Sequence, residues 1–203
     1  YIKIIGKSGH ASVPHYAKDS ILAAAQTLLG IQQIVSRQVD PHEATVISVS
    51  SINGGTGINV LPEKVQMAGT TRYFKQELQS HLHSSLRQMV SGITSACGCE
   101  YEFEYHNGYE ATVNSPRYAE LVRSIAAVQL GKEKVFSNLL PAMVSEDFSY
   151  YLKHVPGCYF WLGCGNENIQ SSLHSSTFDF DEKAMAVGAA LMADAVWSFI
   201  NTE

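Results

Sequence analysis

The spacing of apolar residues predicts that strands and helices alternate along the first half of the chain. Residues 1–6 alternate in character and predict a strand. Behind Asp19, a residue type that caps helix N-termini, apolar side chains recur every three or four positions as far as Asp40-Pro41 and predict a long helix. Residues 44–52 are rich in Val, Ile, Thr and Ser, a composition typical of a second strand.

The same half of the chain continues with a strand, a helix and a strand. A third strand is predicted after Pro62, and an amphipathic helix over residues 78–97, with Gly98 as its C-terminal stop. Residues 100–105 alternate glutamate with aromatic residues and predict a fourth strand. The order βαββαβ over residues 1–107 predicts a ferredoxin-like domain, in which four antiparallel strands carry two helices on one face.

Residues 108–203 differ in character from the first half. The pattern predicts a helix from Pro116, a short helix ending near His154, a buried strand over residues 158–162 and a last helix after Asp181. Such a set does not close a domain by itself, so we expect the returning end of a larger α/β domain. The chain also begins inside a strand without a methionine, and we expect it to be a piece of a longer protein.

Composition narrows the class of partners. The chain has 203 residues, 45% of them hydrophobic, enough for a buried core, and its net charge of −5 provides no general basic surface for nucleic acid. No apolar run is long enough by inspection to span a bilayer, so we expect neither nucleic acid nor membrane as a partner. The four cysteines fit neither a zinc ribbon nor a dense disulfide framework, which predicts free thiols and a reducing, cytoplasmic setting.

Four residues are candidates for chemistry, because the chain lacks a serine-hydrolase elbow, a His-Glu-x-x-His helix and a phosphate loop. His10 lies in a glycine-bracketed loop, and Asn59 follows a glycine-rich segment, where its amide can donate and accept. Arg72 lies on the polar face of the third strand, and its planar fork suits a carboxylate. His174 follows the predicted buried strand. Three of them also have an ordinary interpretation. His10 could be a solvated turn residue, Arg72 could pair with a glutamate on the neighbouring strand, and His174 could be a hydrogen-bonded core histidine.

Several motifs occur in one order along the chain. They are Gly-x-Ser-Gly-His-Ala-Ser-x-Pro-His from Gly6, Ile-Val-Ser-Arg-Gln-Val-Asp-Pro from Ile34, Gly-Thr-Gly-x-Asn-Val-Leu-Pro from Gly55 and Gly-Thr-Thr-Arg from Gly69. Together they resemble the dimerisation (lid) domain of the dinuclear metal amidohydrolases and peptidases, such as aminoacylases, hippurate hydrolases, N-acetyl-diaminopimelate deacetylases and indole-acetyl-amino-acid hydrolases. The later runs Ser-Glu-Asp-Phe-Ser, Pro-Gly-x-x-Phe-x-Leu-Gly and Leu-His-x-x-x-Phe-Asp-x-Asp-Glu resemble the end of the same family's catalytic domain.

The resemblance implies a domain organisation and a reaction. Residues 1–107 would form the ferredoxin-like lid, and residues 108–203 the C-terminal part of an α/β metallopeptidase catalytic domain. In the whole protein, a metal-activated water would hydrolyse the amide bond of N-acyl amino acids or related peptides. His174 matches the family's C-terminal ligand of a divalent metal, for which zinc, manganese and nickel suit an imidazole.

The resemblance also implies roles for residues of the lid. His10 matches a histidine that holds the oxyanion, often across a homodimer formed through the lid. Asn59 and Arg72 match residues that bind the substrate near its scissile amide and its carboxylate. Asp147 matches a position close to the metal site.

The family's other metal ligands and its general-base glutamate precede the lid, and no such motif is present in this chain. We therefore expect a fragment that is inactive alone and does not fully bind a metal. Two alternatives stay open. One is a non-catalytic dimerisation module that binds a small carboxylate without metal, and the other is a carboxypeptidase-like enzyme that differs only in its substrate.

Overall fold

The computed structural model describes residues 1–201. The chain divides into two compact units, unit 1 (Tyr1–Ala111) and unit 2 (Thr112–Glu203). The roles that the resemblance implies for residues 1–107 and 108–203 stay predictions.

Unit 1 has the ferredoxin-like topology that the sequence predicts. Its elements are, in order, β1 (Ile2–Ile5), β2 (Gly9–His10), a 3₁₀ turn (Pro14–Tyr16), α1 (Ser20–Gln38), β3 (Thr45–Gly54), β4 (Val60–Leu61), β5 (Lys64–Tyr73), α2 (Glu77–Ala96) and β6 (Glu100–Phe103). The main sheet has the strand order β3-β5-β1-β6, and each neighbouring pair is antiparallel. This order and the two helices confirm the predicted fold class.

The ends of the two helices form as the residue types predict. The Asp19 carboxylate accepts hydrogen bonds from the backbone N–H groups of Ile21 and Leu22 at 2.9 and 3.0 Å, which caps α1. Gly98 has a positive φ of 67° after α2, where Cys99 N donates to Thr94 O at 2.8 Å. This is the glycine-dependent closure of a helix C-terminus.

The core of unit 1 lies between the sheet and the two helices. Apolar side chains alternate inward on the strands and recur along one face of each helix, so the two periodicities meet in one layer. The buried members are Ile2, Ile4, Ala23, Ala24, Ile31, Ile34, Val39, Val65, Met67, Leu82, Leu86, Val90 and Cys99. On the opposite face, Val46, Ser48 and Gln66 are exposed.

The backbone around His10 has more regular structure than the sequence predicts. Instead of a tight loop, β2 forms a short antiparallel ladder with β4, with Gly9 opposite Leu61 and His10 opposite Val60. The chain reaches this position because Lys7 and Lys18 exchange two backbone hydrogen bonds of 3.0 Å. A pairing between segments about 50 residues apart leaves no local pattern in a sequence.

Unit 2 contains α3 (Pro116–Leu130), a 3₁₀ turn (Lys132–Lys134), α4 (Phe148–Leu152) and α5 (Lys183–Asn201). The prediction of a strand over residues 158–162 is wrong, since the described residues form no strand there. A strand needs a neighbouring backbone, and here a side chain takes that place. The Asn114 amide donates to the Tyr159 carbonyl at 2.7 Å and accepts from the Tyr159 N–H at 2.8 Å.

Helix α5 is apolar and largely exposed. By length and composition alone it could cross a membrane, with a mean hydropathy of 1.4 and only 6% of that window buried. The expectation that no run is long enough is therefore wrong on this criterion, because ten uncharged residues stand between Lys183 and Asp194. The same property is found in core helices of soluble proteins. Its exposed large side chains are Met185, Met192, Val196, Trp197, Phe199 and Ile200.

Candidate functional site

His10 is exposed at the end of β2, and a neighbouring serine holds its ring. The imidazole Nδ1 lies 3.2 Å from the backbone nitrogen of Ser12 and 2.8 Å from its Oγ. The backbone of the same turn is closed by a hydrogen bond of 3.0 Å from Val13 N to His10 O. The ring is therefore oriented by its own turn, although its surface is open to a ligand.

Asn59 lies beside His10, as the ladder between β2 and β4 requires. The Asn59 carbonyl accepts a hydrogen bond of 3.0 Å from Ala11 N, and the next residue, Val60, is the register partner of His10. Both side chains are exposed. The structure thus brings together two of the predicted site residues, which are 49 positions apart in the sequence.

Arg72 lies at the other end of the sheet. Lys64, at the start of β5, pairs with Ile5 next to the segment that leads to His10, whereas Arg72 pairs with Val46 near the end of β5. Eight residues separate the two positions on the strand, a length of about 26 Å at 3.3 Å per residue. Within one unit 1, Arg72 and the pair formed by His10 and Asn59 therefore do not converge.

His174 belongs to unit 2 and lies in a turn closed by a hydrogen bond of 3.2 Å from Ser175 N to Ser172 O. Its φ of 63° is the only positive value at a non-glycine residue in the described part of the chain. The left-handed region disfavours residues with a Cβ, and such strain is often kept at functional sites. The side chain is exposed in this chain and is not part of a core.

The described residues do not by themselves form a metal site. Over residues 1–201, no group of three or more histidine, cysteine, aspartate or glutamate side chains lies close enough together to hold an ion. His174 thus brings one imidazole, where a bound divalent ion needs several ligands. All four cysteines are free thiols. Burial raises the pKa of Cys158 and of Cys99, which disfavours the thiolate that would bind a metal.

A hydrogen-bonded network in unit 2 surrounds the Ser-Glu-Asp-Phe motif. The Tyr159 hydroxyl donates to Glu146 Oε2 at 2.7 Å, and this bond holds the pKa of Glu146 below its ordinary value and raises the pKa of Tyr159. Asn114 fixes the Tyr159 backbone, and Phe148 packs on the Tyr159 ring with centroids 5.5 Å apart.

This network fixes an ionised carboxylate, Glu146, beside Asp147, the residue for which the resemblance implies a position near the metal. The sequence contains this motif but gives no sign that Tyr159 and Asn114 belong with it. The two lie 45 positions apart, so no local spacing could have joined them. Ser12, which contacts His10, has no signal in the sequence apart from the motif that begins at Gly6.

The fold of unit 1, with His10 and Asn59 side by side, agrees with the class that the motifs indicate, the metal-dependent amidohydrolases and peptidases. Residues 6–198 match the model of peptidase family M20/M25/M40. The chain therefore belongs to this family.

Known proteins of the family resemble nearly the whole chain. It is 35% identical over 196 residues to an N-acetyldiaminopimelate deacetylase of Leuconostoc mesenteroides, covering 96% of the chain and 50% of that protein. It is 32% identical over 201 residues to an N-acetylcysteine deacetylase of Bacillus subtilis, covering 99% of the chain and 51% of that protein. A crystal structure of a dinuclear metal binding peptidase from the M20 family of Bacillus subtilis matches with a TM-score of 0.67 and 25% identity, over 96% of the chain and 48% of that protein.

The chain spans about half the length of the relatives it matches. The family and the fold thus extend over the whole chain, while about half of each relative has no counterpart in it.

Proposed function

We propose that the chain is part of a metal-dependent amidohydrolase that cleaves the amide bond of N-acyl amino acids or related peptides. Membership of the peptidase family and the names of the two deacetylases support a hydrolase of C–N bonds. The observation that carries the proposal is the pairing of His10 with the Asn59 segment inside the matched region. This pairing places an imidazole and a side-chain amide where both could contact one small polar group, such as the carbonyl of a substrate amide.

In this proposal His10 donates a hydrogen bond to the oxygen that gains negative charge during hydrolysis. A fixed donor at such an oxyanion lowers the barrier by about 3 kcal/mol. Asn59 donates to or accepts from the same end of the substrate, since its amide has both capacities. Arg72 binds the free carboxylate, where a charge-assisted contact selects acyl amino acids over neutral amides.

The position of Arg72 leads to a proposal about assembly. Arg72 lies near one end of the four-stranded sheet, whereas the His10–Asn59 pair lies on the separate β2–β4 ladder that follows the other end of β1. An N-acyl amino acid is much shorter than this sheet. We propose that one active site takes His10 and Asn59 from one copy and Arg72 from a second copy, in a homodimer formed through unit 1. The open edge strand β3 offers unpaired backbone groups for such an association.

In this proposal, most ligands of the metal lie outside this chain. His174 would contribute one imidazole to a divalent ion, such as zinc, manganese or nickel, and the other ligands would come from the part of the protein that the relatives have and this chain lacks. The bound ion would supply an activated water for hydrolysis. Because the described residues hold no cluster of ligands, we propose that this chain alone is inactive.

The exposed apolar face of α5 supports the proposal that part of the catalytic domain lies outside this chain. Of the large side chains of this helix only Leu191 is buried, while Met192, Val196 and Trp197 are more than half exposed. Apolar patches of this kind mark surfaces that another part of a protein covers. We propose that the remainder of the catalytic domain covers this face. The free thiols support a reducing, cytoplasmic location.

A subunit-mixing experiment with the full-length protein tests the shared site. His10→Ala and Arg72→Ala proteins, each inactive, are unfolded together, refolded and assayed with an N-acetyl amino acid. Random pairing gives half heterodimers with one intact site in two, so about one quarter of wild-type activity should return. The control mixes His10→Ala with the double variant His10→Ala/Arg72→Ala, which cannot form an intact site. No recovery in the first mixture, although heterodimers form, would contradict the shared site.

One observation favours a second function. The described residues assemble no metal site, as expected of a non-catalytic dimerisation module that binds a small carboxylate through Arg72. The metal content of the full-length protein separates the two proposals, because a module without chemistry binds none. A peptidase would differ only in preferring a peptide to an N-acetyl amino acid in the same assay.

A further inference from the structure

We infer that Ser12 is a positioning residue that holds His10 as the tautomer protonated on Nε2. The inference rests on the proposed function of His10 as a hydrogen-bond donor, and it assigns the group that selects the donating nitrogen. It starts from two contacts on a single ring atom, Nδ1, which lies 3.2 Å from Ser12 N and 2.8 Å from Ser12 Oγ.

The backbone contact decides the tautomer. A backbone N–H can only donate, so the His10 Nδ1 that faces Ser12 N must present a lone pair. A neutral imidazole with a lone pair on Nδ1 carries its proton on Nε2. The Ser12 hydroxyl, which can rotate, then donates to Nδ1 as well. The opposite tautomer would direct an N–H of the ring against the N–H of Ser12 and lose that contact, whereas the Ser12 hydroxyl would then accept from Nδ1.

The other ring nitrogen is available to a ligand. Within residues 1–201, Nε2 of His10 has no hydrogen-bond partner, and the side chain is exposed. The turn is held in place by the bond from Val13 N to His10 O, at 3.0 Å, and by the bond from Ala11 N to Asn59 O, also at 3.0 Å. Ser12 thus fixes the inner edge of the ring, while the outer edge presents a donor next to Asn59. An oxyanion needs a donor at this place.

The choice of tautomer matters because the exposed ring nitrogen, Nε2, donates a hydrogen bond in one tautomer and accepts one in the other. With the proton on Nε2, the exposed edge donates to a developing negative charge, while with the proton on Nδ1 it would present a lone pair to the same oxygen and repel it. The population of the donating tautomer therefore scales the fraction of molecules that can stabilise the oxyanion. Ser12 itself does not touch the substrate in this account.

Long-range ¹H–¹⁵N spectra of this chain, recorded at a pH where the imidazole is neutral, read the tautomer of His10 directly. His10→Gln identifies its signals. We expect the Nε2–H form to predominate in the wild type. The ratio of Nε2–H to Nδ1–H should exceed that of the same chain unfolded in urea by about fivefold, the effect of one hydrogen bond. Ser12→Ala keeps the backbone donor and loses a hydroxyl that can serve either tautomer, so the Nε2–H form should still predominate in that variant.

A predominant Nδ1–H form in the folded chain, or the same ratio in the folded and the unfolded chain, would overturn the assignment. If Ser12 were only a turn residue, folding would leave the tautomer ratio of His10 unchanged. This measurement needs neither the metal nor the substrate.

The consequence for catalysis is measured in the full-length protein. His10→Gln can place an amide donor near the position of Nε2 and should retain about tenfold more kcat than His10→Ala. Equal loss of kcat in the two variants would overturn the donating role of the outer ring edge. Absence of amide hydrolysis in the wild-type protein would instead overturn the proposed function, while the tautomer measurement would still decide what Ser12 does.

Discussion

Replacement of Gly6 by alanine should destabilise unit 1 at the segment that carries His10. A Cβ built on Gly6 lies 2.2 Å from the backbone oxygen of Lys18, where ordinary contact begins at 3.4 Å. Because the opposing atom belongs to the backbone, it cannot rotate away as a side chain would. Relief requires that the two segments separate by about 1 Å, which would break the two 3.0 Å hydrogen bonds between Lys7 and Lys18.

The expected loss follows from these contacts. Two net hydrogen bonds contribute about 2 kcal/mol, and overpacking a tight backbone contact costs about 1–2 kcal/mol more. We therefore expect Gly6→Ala to lower the free energy of unfolding by about 3–4 kcal/mol. Denaturant unfolding followed by circular dichroism measures this change, provided that the slope of the transition stays constant.

Gly92→Ala is the matched control for Gly6→Ala. Gly92 lies inside α2, and a Cβ built there meets no atom within 4 Å. The same substitution should thus stabilise the chain by roughly 0.5–1 kcal/mol, the difference between glycine and alanine in a helix. The reasoning is refuted if Gly6→Ala unfolds within about 0.5 kcal/mol of the wild type, which is the range of uninvolved surface changes.

Three further predictions concern unit 2. His174→Asn keeps a residue type that tolerates a positive φ, so the free energy of unfolding should change by less than about 0.5 kcal/mol. The metal content of the full-length protein should nevertheless fall. Stable protein with unchanged metal content would contradict the ligand role. Asn114→Ala leaves the Tyr159 backbone without its two partners and should cost about 1–3 kcal/mol in denaturant unfolding; an unchanged midpoint would show that the network carries no stability. Tyr159→Phe should return the pKa of Glu146 towards its ordinary value. Since the lowered pKa stabilises the fold above the unfolded-state pKa of Glu146 and this contribution is lost as pH falls through the folded-state value, the variant should be less stable near pH 7 and match the wild type in acid; a difference independent of pH would contradict this assignment.

The regular elements of unit 1 could be predicted because their signals are local. The apolar spacing behind Asp19, the cap itself and the stop at Gly98 are each contained within a few neighbouring residues, and the order of elements then restricts the topology to a few choices. The ferredoxin-like prediction is confirmed for this reason.

The remaining features depend on contacts between distant segments. Residues 158–162 are apolar enough for a central strand, but a strand also needs a backbone neighbour, and here the Asn114 side chain takes that place. The pairing of His10 with Val60 and the distance between Arg72 and His10 follow only from the register of the sheet. The sequence indicates candidate residues for the chemistry, while their arrangement follows only from the folded chain.

The measurement that tests the central claim most directly is amide hydrolysis by the full-length protein with and without a divalent metal. N-acetyl amino acids are the substrates, and release of the free amine is followed after chelation and after addition of zinc, manganese or nickel. The account predicts hydrolysis that chelation abolishes and metal restores, that His10→Ala removes, and that residues 1–203 alone do not show. Absence of hydrolysis in the presence of bound metal, or hydrolysis that chelation does not affect, would contradict it.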